Sequence, residues 1–171
     1  MSEVAAKLPL GFKNALSEYG FNPMPLRAVG FKKSVESNWS LPWHQDRVVA
    51  MAEKIPHPDL KNWSCKSGVW HCEPAPSILA RMAFAHIAFD NIRDSQGDLE
   101  LTEGTHKSGT IYAETIDSHI KASKIVCPTL KAGDVLLISA LMLHRSSAMK
   151  MQGSRKTLRV DFVKRALNLS K

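Results

Sequence analysis

The chain has 171 residues, 44% of them hydrophobic, and carries a net charge of +7 with a pI near 9.5. That length suits a single domain over residues 1–171 with a sizeable core, and no apolar run reaches the roughly 20 residues of a membrane span, so no membrane helix is expected. Three cysteines, Cys65, Cys72 and Cys127, with no CxxC pair, exclude a disulfide framework or zinc knuckle and point to reduced, partly buried thiols.

In chain order, the first 20 residues read as a short helix, with Phe12, Ala15 and Leu16 as its apolar face and Gly20 as its stop. They lack the basic-then-apolar order of a signal peptide, so a cytoplasmic location is expected. Ala28 to Lys33 and Leu41 to Met51 read as extended. Ile55 to Pro76, rich in Pro, Asn, Ser, His and Gly, reads as a long loop of the lid or binding kind. Ile78 to Asp90 reads as a strand. It has Met82, Phe84, His86 and Ala88 on one face and Ala83, Ala85, Ile87 and Phe89 on the other.

Ser95-Gln96-Gly97 is a turn signal, followed by a short strand at Leu99 and Leu101, and Thr110 to Ala122 fits a helix. Ile125 to Cys127, Val135 to Ser139, Leu141 to His144 and Thr157 to Val163 read as further strands, with a turn at Ala132-Gly133-Asp134. Many strands and few helices indicate a mainly β fold of the sandwich or jelly-roll kind. The densest basic group is Arg155-Lys156, Arg159 and Lys164-Arg165. No nucleic-acid-binding motif accompanies it, so a solvated basic surface is expected and nucleic acid is not an expected partner.

Side chains at i and i+2 of a strand point the same way, so His44 and Asp46 can reach one ion while Gln45 points away. An imidazole and a carboxylate are two parts of a 2-His-1-carboxylate facial triad, which leaves positions on Fe(II) open. The pair is a weak signal by itself. His144 closes the apolar run DVLLISALML and offers a second imidazole, although such a histidine also suits a core. Arg155, Thr157 and Arg159 share one parity; Leu158, Val160 and Phe162 share the other. An inward-facing arginine needs an anion, and its planar fork suits a carboxylate, of a ligand or of an acidic neighbour.

Together these residues resemble the phytanoyl-CoA dioxygenase family of Fe(II)/2-oxoglutarate oxygenases, its small bacterial members above all. Phe31 to Trp39 is similar to an F-x-K-S/T-P-E-x-N-W segment, and Pro42-Trp43-His44-Gln45-Asp46 to a W-H-Q-D motif. Asn62 to Val69 with Glu73-Pro74 resembles a loop of the bacterial members. Gly97-Asp98-Leu99 with Gly104-Thr105-His106-Lys107 is similar to N-G-x-L … P-G-S/T-H-K, and Gly133-Asp134 … His144-Arg145-Ser146 … Arg155 to G-D … H-x-S … R. Val35, Gln96 and Glu103 depart from the pattern, in turns.

The resemblance implies a double-stranded β-helix, a cupin-like jelly roll with a few flanking helices. It implies that His44, Asp46 and His144 hold Fe(II). Arg155, eleven residues after His144, would pair with the distal carboxylate of the cosubstrate 2-oxoglutarate, with help from Ser146, and His86 would contact the cosubstrate. O2 is the other reactant, and the expected product is a hydroxylated small molecule, since related halogenases lack the carboxylate that Asp46 supplies. Gln45, Asn38 and Trp39 are candidates to orient the imidazoles.

Only 43 residues precede His44, so a small or open pocket or a partner subunit is also compatible with the chain. The alternative reading is a degenerate or non-catalytic jelly roll that binds a metal or small molecule.

Overall fold

The computed structural model describes residues 2–93, 97–150 and 152–164. Pro9 divides the expected N-terminal helix into α1 (Ser2–Lys7) and α2 (Leu10–Glu18), because a residue with no N–H starts a helix better than it continues one. Gly20, at φ +79°, ends α2, with Phe21 N–H donating to Leu16 O and Gly20 N–H to Ser17 O. The strands are β1 (Arg27–Ser34), β2 (Leu41–His44), β3 (Val49–Met51), β4 (Leu60–Lys66) and β5 (Val69–Pro74). After α3 (Pro76–Leu79) come β6 (Met82–Ala88) and β7 (Leu99–Thr102). Beyond α4 (Ile116–Ala122) lie β8 (Ile125–Val126), β9 (Val135–Ser139), β10 (His144–Ser146) and β11 (Ser154–Val163).

Two four-stranded antiparallel sheets, β1-β11-β6-β9 and β2-β10-β7-β8, make the jelly roll, and β3-β5-β4 forms a third, smaller sheet. The fold is mainly β, of the cupin-like type expected. Strand alternation decides what each face of the first sheet carries. Outward, Ala85 of β6 and Val160 and Phe162 of β11 pack under Leu8 and Leu16 of the N-terminal segment. Inward, Phe84 packs with Ile138 of β9 and Leu101 of β7. The remaining inward positions, His86, Arg155, Thr157 and Arg159, line a cavity shared with β2, β7 and β10.

Several expected elements differ. The stretch Ile55 to Pro76 is a hairpin, β4–β5, closed by Ser67 and Gly68 at φ +48° and +77°, a two-residue turn that matches the strand twist. Its polar residues are half-exposed, which hid the strand pattern. Extended structure does not run from Leu41 to Met51: β2 stops at His44, because Gln45 turns inward to donate to Leu141 O (2.7 Å) and Gly109 O (2.9 Å). The expected strand from Ile78 begins as the helical turn α3, with Pro76 at its start, and the sheet opens at Met82.

The helix expected from Thr110 begins at Ile116, after a 3-10 turn over Ala113–Thr115, because Ile111 N–H donates to Gln45 Oε1 at 2.8 Å. Leu141 to His144 is not a strand. Met142 N–H closes a turn onto Ser139 O (2.9 Å), so His144 opens β10 instead of ending a strand. Of the three cysteines Cys72 is buried, while Cys65 and Cys127 are exposed. Ser95 and Gln96 of the expected turn and Arg165 lie outside the described residues.

Phe162 is fully buried and meets Phe12 edge-on at 6.0 Å, which ties the helices to the sheet. Phe162→Ala is expected to lower unfolding free energy by about 3–5 kcal/mol, read from chemical denaturation.

Candidate metal centre and anion pocket

β2 and β10 run antiparallel with His144 directly opposite His44, and the two rings lie 4.3 Å apart. Each ring is oriented from behind by the backbone two residues before it. His44 Nδ1 is 2.7 Å from Pro42 O, and His144 Nδ1 is 2.8 Å from Met142 O. A carbonyl only accepts, so each Nδ1 carries a proton and Nε2 is the ring nitrogen left to face the cavity. Both Nε2 atoms face Asp46, at 4.0 Å from Oδ1 for His44 and 3.4 Å from Oδ2 for His144. Asp46 sits two residues past the end of β2, where its N–H donates to Ala140 O (2.9 Å).

The three side chains offer one ligand atom each, all within 4.8 Å of one another. Among the described residues no other group of three His, Cys, Asp or Glu is placed to hold a metal. Two imidazoles oriented through backbone carbonyls, plus one carboxylate, are a donor set suited to a divalent transition metal. The expected helpers do not orient the rings. Gln45 ties two loops together, Asn38 bonds the backbone of Met149, and Trp39 packs on Phe31.

Burial pushes the His144 pKa down, partly opposed by Asp46, which keeps the ring neutral. Burial would push Asp46 up, but Arg159 and the two histidines outweigh it and hold the carboxyl below its ordinary range. Arg159 Nη1 donates to Asp46 Oδ2 at 2.9 Å.

The other half of the cavity is cationic. Lys33 on β1 and Arg155 on β11 are register partners, and both are almost fully buried, at 1% and 4% exposure. Lys33 Nζ donates to Ser146 Oγ (2.8 Å), Ser147 O (2.5 Å) and Gly97 O (3.3 Å), and stands 4.0 Å over the Trp39 ring. Arg155 Nη2 donates to the same Gly97 carbonyl at 2.6 Å, while its Nε is buried with no partner. Gly97 sits at φ +75° with no room for a Cβ, which would fall 2.9 Å from Ser147 O. Burial, and then Arg155 beside it, bring the Lys33 pKa down to about 8. Asp98, also buried, is the carboxylate that acts on both cations, and the spare Nε donor of Arg155 leaves the pair suited to a further anion. Phe31, Trp39, Leu41 and Leu99 wall the cavity.

The sequence model of the family described as phytanoyl-CoA dioxygenase (PhyH) matches residues 10–157. The chain belongs to the phytanoyl-CoA dioxygenase family. That family is one of Fe/2-oxoglutarate-dependent oxygenases, and the similar solved structures include the non-heme α-ketoglutarate-dependent epimerase SnoN. The chain is similar in fold to SnoK, an α-ketoglutarate-dependent carbocyclase from nogalamycin biosynthesis, with TM-score 0.58 and 16% identity over 94% of this chain and 60% of SnoK. It is also similar to EctD from S. alaskensis, with TM-score 0.58 and 15% identity over 82% of this chain and 44% of EctD. EvdMO1 matches with TM-score 0.56 and 20% identity over 84% of this chain and 28% of EvdMO1. At these identities the likeness is one of fold, and the chain spans less than two thirds of each of these proteins. No curated protein sequence matches the chain.

All six residues expected of the family site are thus near one cavity: His44, His144, Ser146, His86 and Arg155 line it, and Asp46 meets the two metal-facing nitrogens. Lys33 is the participant that sequence reasoning passed over. Its inward parity with Phe31 was readable, but its pairing with Arg155 was not. The expected solvated basic surface is corrected in part, since Arg155 and Arg159 point into the cavity while Lys156 and Lys164 stay outside. Among the described residues no helix is long and apolar enough to cross a membrane.

His86 is buried beside these cations, and its Nε2 has no hydrogen-bond partner. Burial, then Arg155, Arg159 and His144, bring its pKa from 6.5 down to about 4. Between those values the unfolded chain binds a proton that the folded chain excludes. Stability from this group is therefore full above pH 6.5 and is lost as pH falls towards 4. His86→Asn is expected to remove about 3 kcal/mol of that loss, seen as a flatter unfolding free energy across the same pH window.

Proposed function

We propose that the chain acts as an Fe(II)- and 2-oxoglutarate-dependent oxygenase on a small molecule, with His44, Asp46 and His144 as the metal ligands. The observation that carries this reading is the orientation of both imidazoles, whose Nδ1–H groups are committed to Pro42 O and Met142 O so that both Nε2 atoms meet Asp46. When bound, Fe(II) with 2-oxoglutarate and O2 supplies the oxidising chemistry: the cosubstrate goes to succinate and CO2, and a substrate C–H becomes C–OH.

The protein's part is binding, orientation and exclusion of water. Arg155 would hold the distal carboxylate of 2-oxoglutarate through its fork, whose Nε has no partner among the described residues. Lys33 stands beside it and fixes the Ser146 hydroxyl, 2.8 Å away, next to the carboxylate. His86, neutral at physiological pH, offers its spare Nε2 to the same ligand without adding charge. Phe84 and Leu99 keep the space between the two halves apolar, which strengthens each electrostatic contact there. An anion pocket and a metal centre in one cavity suit a ligand with an anionic end and a metal-chelating end, which 2-oxoglutarate has.

Anaerobic addition of Fe(II) and 2-oxoglutarate is expected to give a weak visible charge-transfer band, and succinate once O2 and ascorbate are present. His44→Ala should abolish the band. Arg155→Ala should leave the metal bound and weaken 2-oxoglutarate by about 30- to 150-fold, the ~2–3 kcal/mol of a charge-assisted pair. Unchanged cosubstrate affinity in that variant would overturn the role given to Arg155, and absence of both band and succinate would leave the non-catalytic binding protein.

A further inference from the structure

Arg159 lies on the same face of β11 as Arg155, yet its surroundings are of another kind. Arg155 keeps a spare donor, whereas Arg159 is committed to the protein on two sides. Its Nη1 donates to Asp46 Oδ2 at 2.9 Å and its Nε to Asp161 Oδ1 at 2.6 Å. Asp161 is anchored in turn by Arg27, whose Nε donates to Oδ2 at 2.8 Å. The guanidinium also stands 4.2 Å over the Phe84 ring. Arg27, Asp161, Arg159 and Asp46 thus form a chain of alternating charges that runs from the outer strand β1 to the candidate metal centre. Two acids gripped from different edges of one planar group leave Arg159 no freedom to swing out and meet a ligand.

We propose that Arg159 is a positioning residue for the metal centre, which occupies Asp46 Oδ2 so that the carboxylate meets a divalent ion through Oδ1 alone. The inference rests on the reading of His44, Asp46 and His144 as metal ligands. Two consequences follow from the charges. The guanidinium cancels the Asp46 carboxylate, so the three-ligand set carries no net charge and holds a divalent ion less tightly than an unpaired carboxylate would. A carboxylate limited to one oxygen also leaves free the coordination position that a second oxygen would fill, which a chelating cosubstrate and O2 require. Arg155 and Arg159 therefore divide the work: the first serves the ligand, the second the protein's own acid.

The test is titration of the protein with Co(II) alone, followed by its visible d–d absorption, which reports affinity and coordination number without turnover. Arg159→Met is expected to bind Co(II) about tenfold tighter, as one positive charge some 5 Å from a divalent ion is removed in a wet site. Its spectrum should change as Asp46 becomes free to bind through both oxygens. Arg159→Lys, which keeps the charge, should return affinity towards wild type.

Asp161→Asn supplies the opposite sign: it removes a negative charge and frees Arg159 for Asp46, so Co(II) should bind severalfold more weakly. This variant decides the matter if Arg159→Met does not fold. Affinity and spectrum unchanged in Arg159→Met, or affinity unchanged or raised in Asp161→Asn, would reduce Arg159 to a structural ion pair and overturn the proposal. His144→Ala separates the two levels. Co(II) binding that His144→Ala removes but Arg159→Met leaves unaltered sinks only the role of Arg159. Failure of the wild-type protein to bind Co(II) sinks the metal reading and this inference with it.

Discussion

The antiparallel register that sets His144 opposite His44 is the constraint on which the site depends. β10 is three residues long and is held between β2 and β7. Shifting a strand by one residue would turn His144 and Ser146 away from the cavity together, because side chains alternate. The backbone carbonyls that aim the imidazoles are local to each segment, since Pro42 and Met142 each lie two residues before the histidine they hold. Gln45 then leaves the strand to bind the turn at Leu141, which brings Asp46 to the histidine pair from beyond the end of β2. One short pairing thus positions all three candidate metal ligands.

The charges inside the cavity divide into two groups. Arg27, Asp161, Arg159 and Asp46 alternate in sign, each within hydrogen-bonding distance of the next, and so meet their desolvation within the chain. Lys33 and Arg155 lie side by side on neighbouring strands and share the Gly97 carbonyl. Their mutual repulsion is offset in part by the buried carboxylate of Asp98, and a bound anion would offset it further. The apolar residues Phe84 and Leu101 lie on strands that flank these charges and hold the two sheets together around them. The opposite face of β11 is apolar, with Val160 and Phe162 packed under the N-terminal helices, so the buried charge on this strand is kept to the inner face.

Much of the strand content was legible because it was strongly patterned. β6 and β11 alternate cleanly, and Leu158, Val160 and Phe162 sit opposite Arg155 and Arg159 as parity requires. The β4–β5 hairpin escaped notice since Asn62, Ser64 and Lys66 made it look like a polar loop; the Ser67-Gly68 turn was the signal within it. The turn before His144 was hidden inside an apolar run, DVLLISALML, in which strand and turn residues are equally hydrophobic. The late start of α4 depends on a hydrogen bond from Ile111 to Gln45, 66 residues earlier, which no local pattern encodes.

By itself the sequence determined the chemical types and the order of the site: a histidine and an acid two residues apart, a second histidine 100 residues on, and an arginine beyond it. Strand parity further determined that Arg155, Thr157 and Arg159 share one face. Only the tertiary structure decided which neighbours each arginine meets. Arg159 falls against Asp46 and Asp161, while Arg155 falls against Gly97 and Lys33. It also decided that Lys33, an ordinary basic residue in the sequence, is buried beside the cavity. The reason is physical: residue type and parity are local properties of a chain, whereas the partner of a charge depends on which distant strand the register sets beside it.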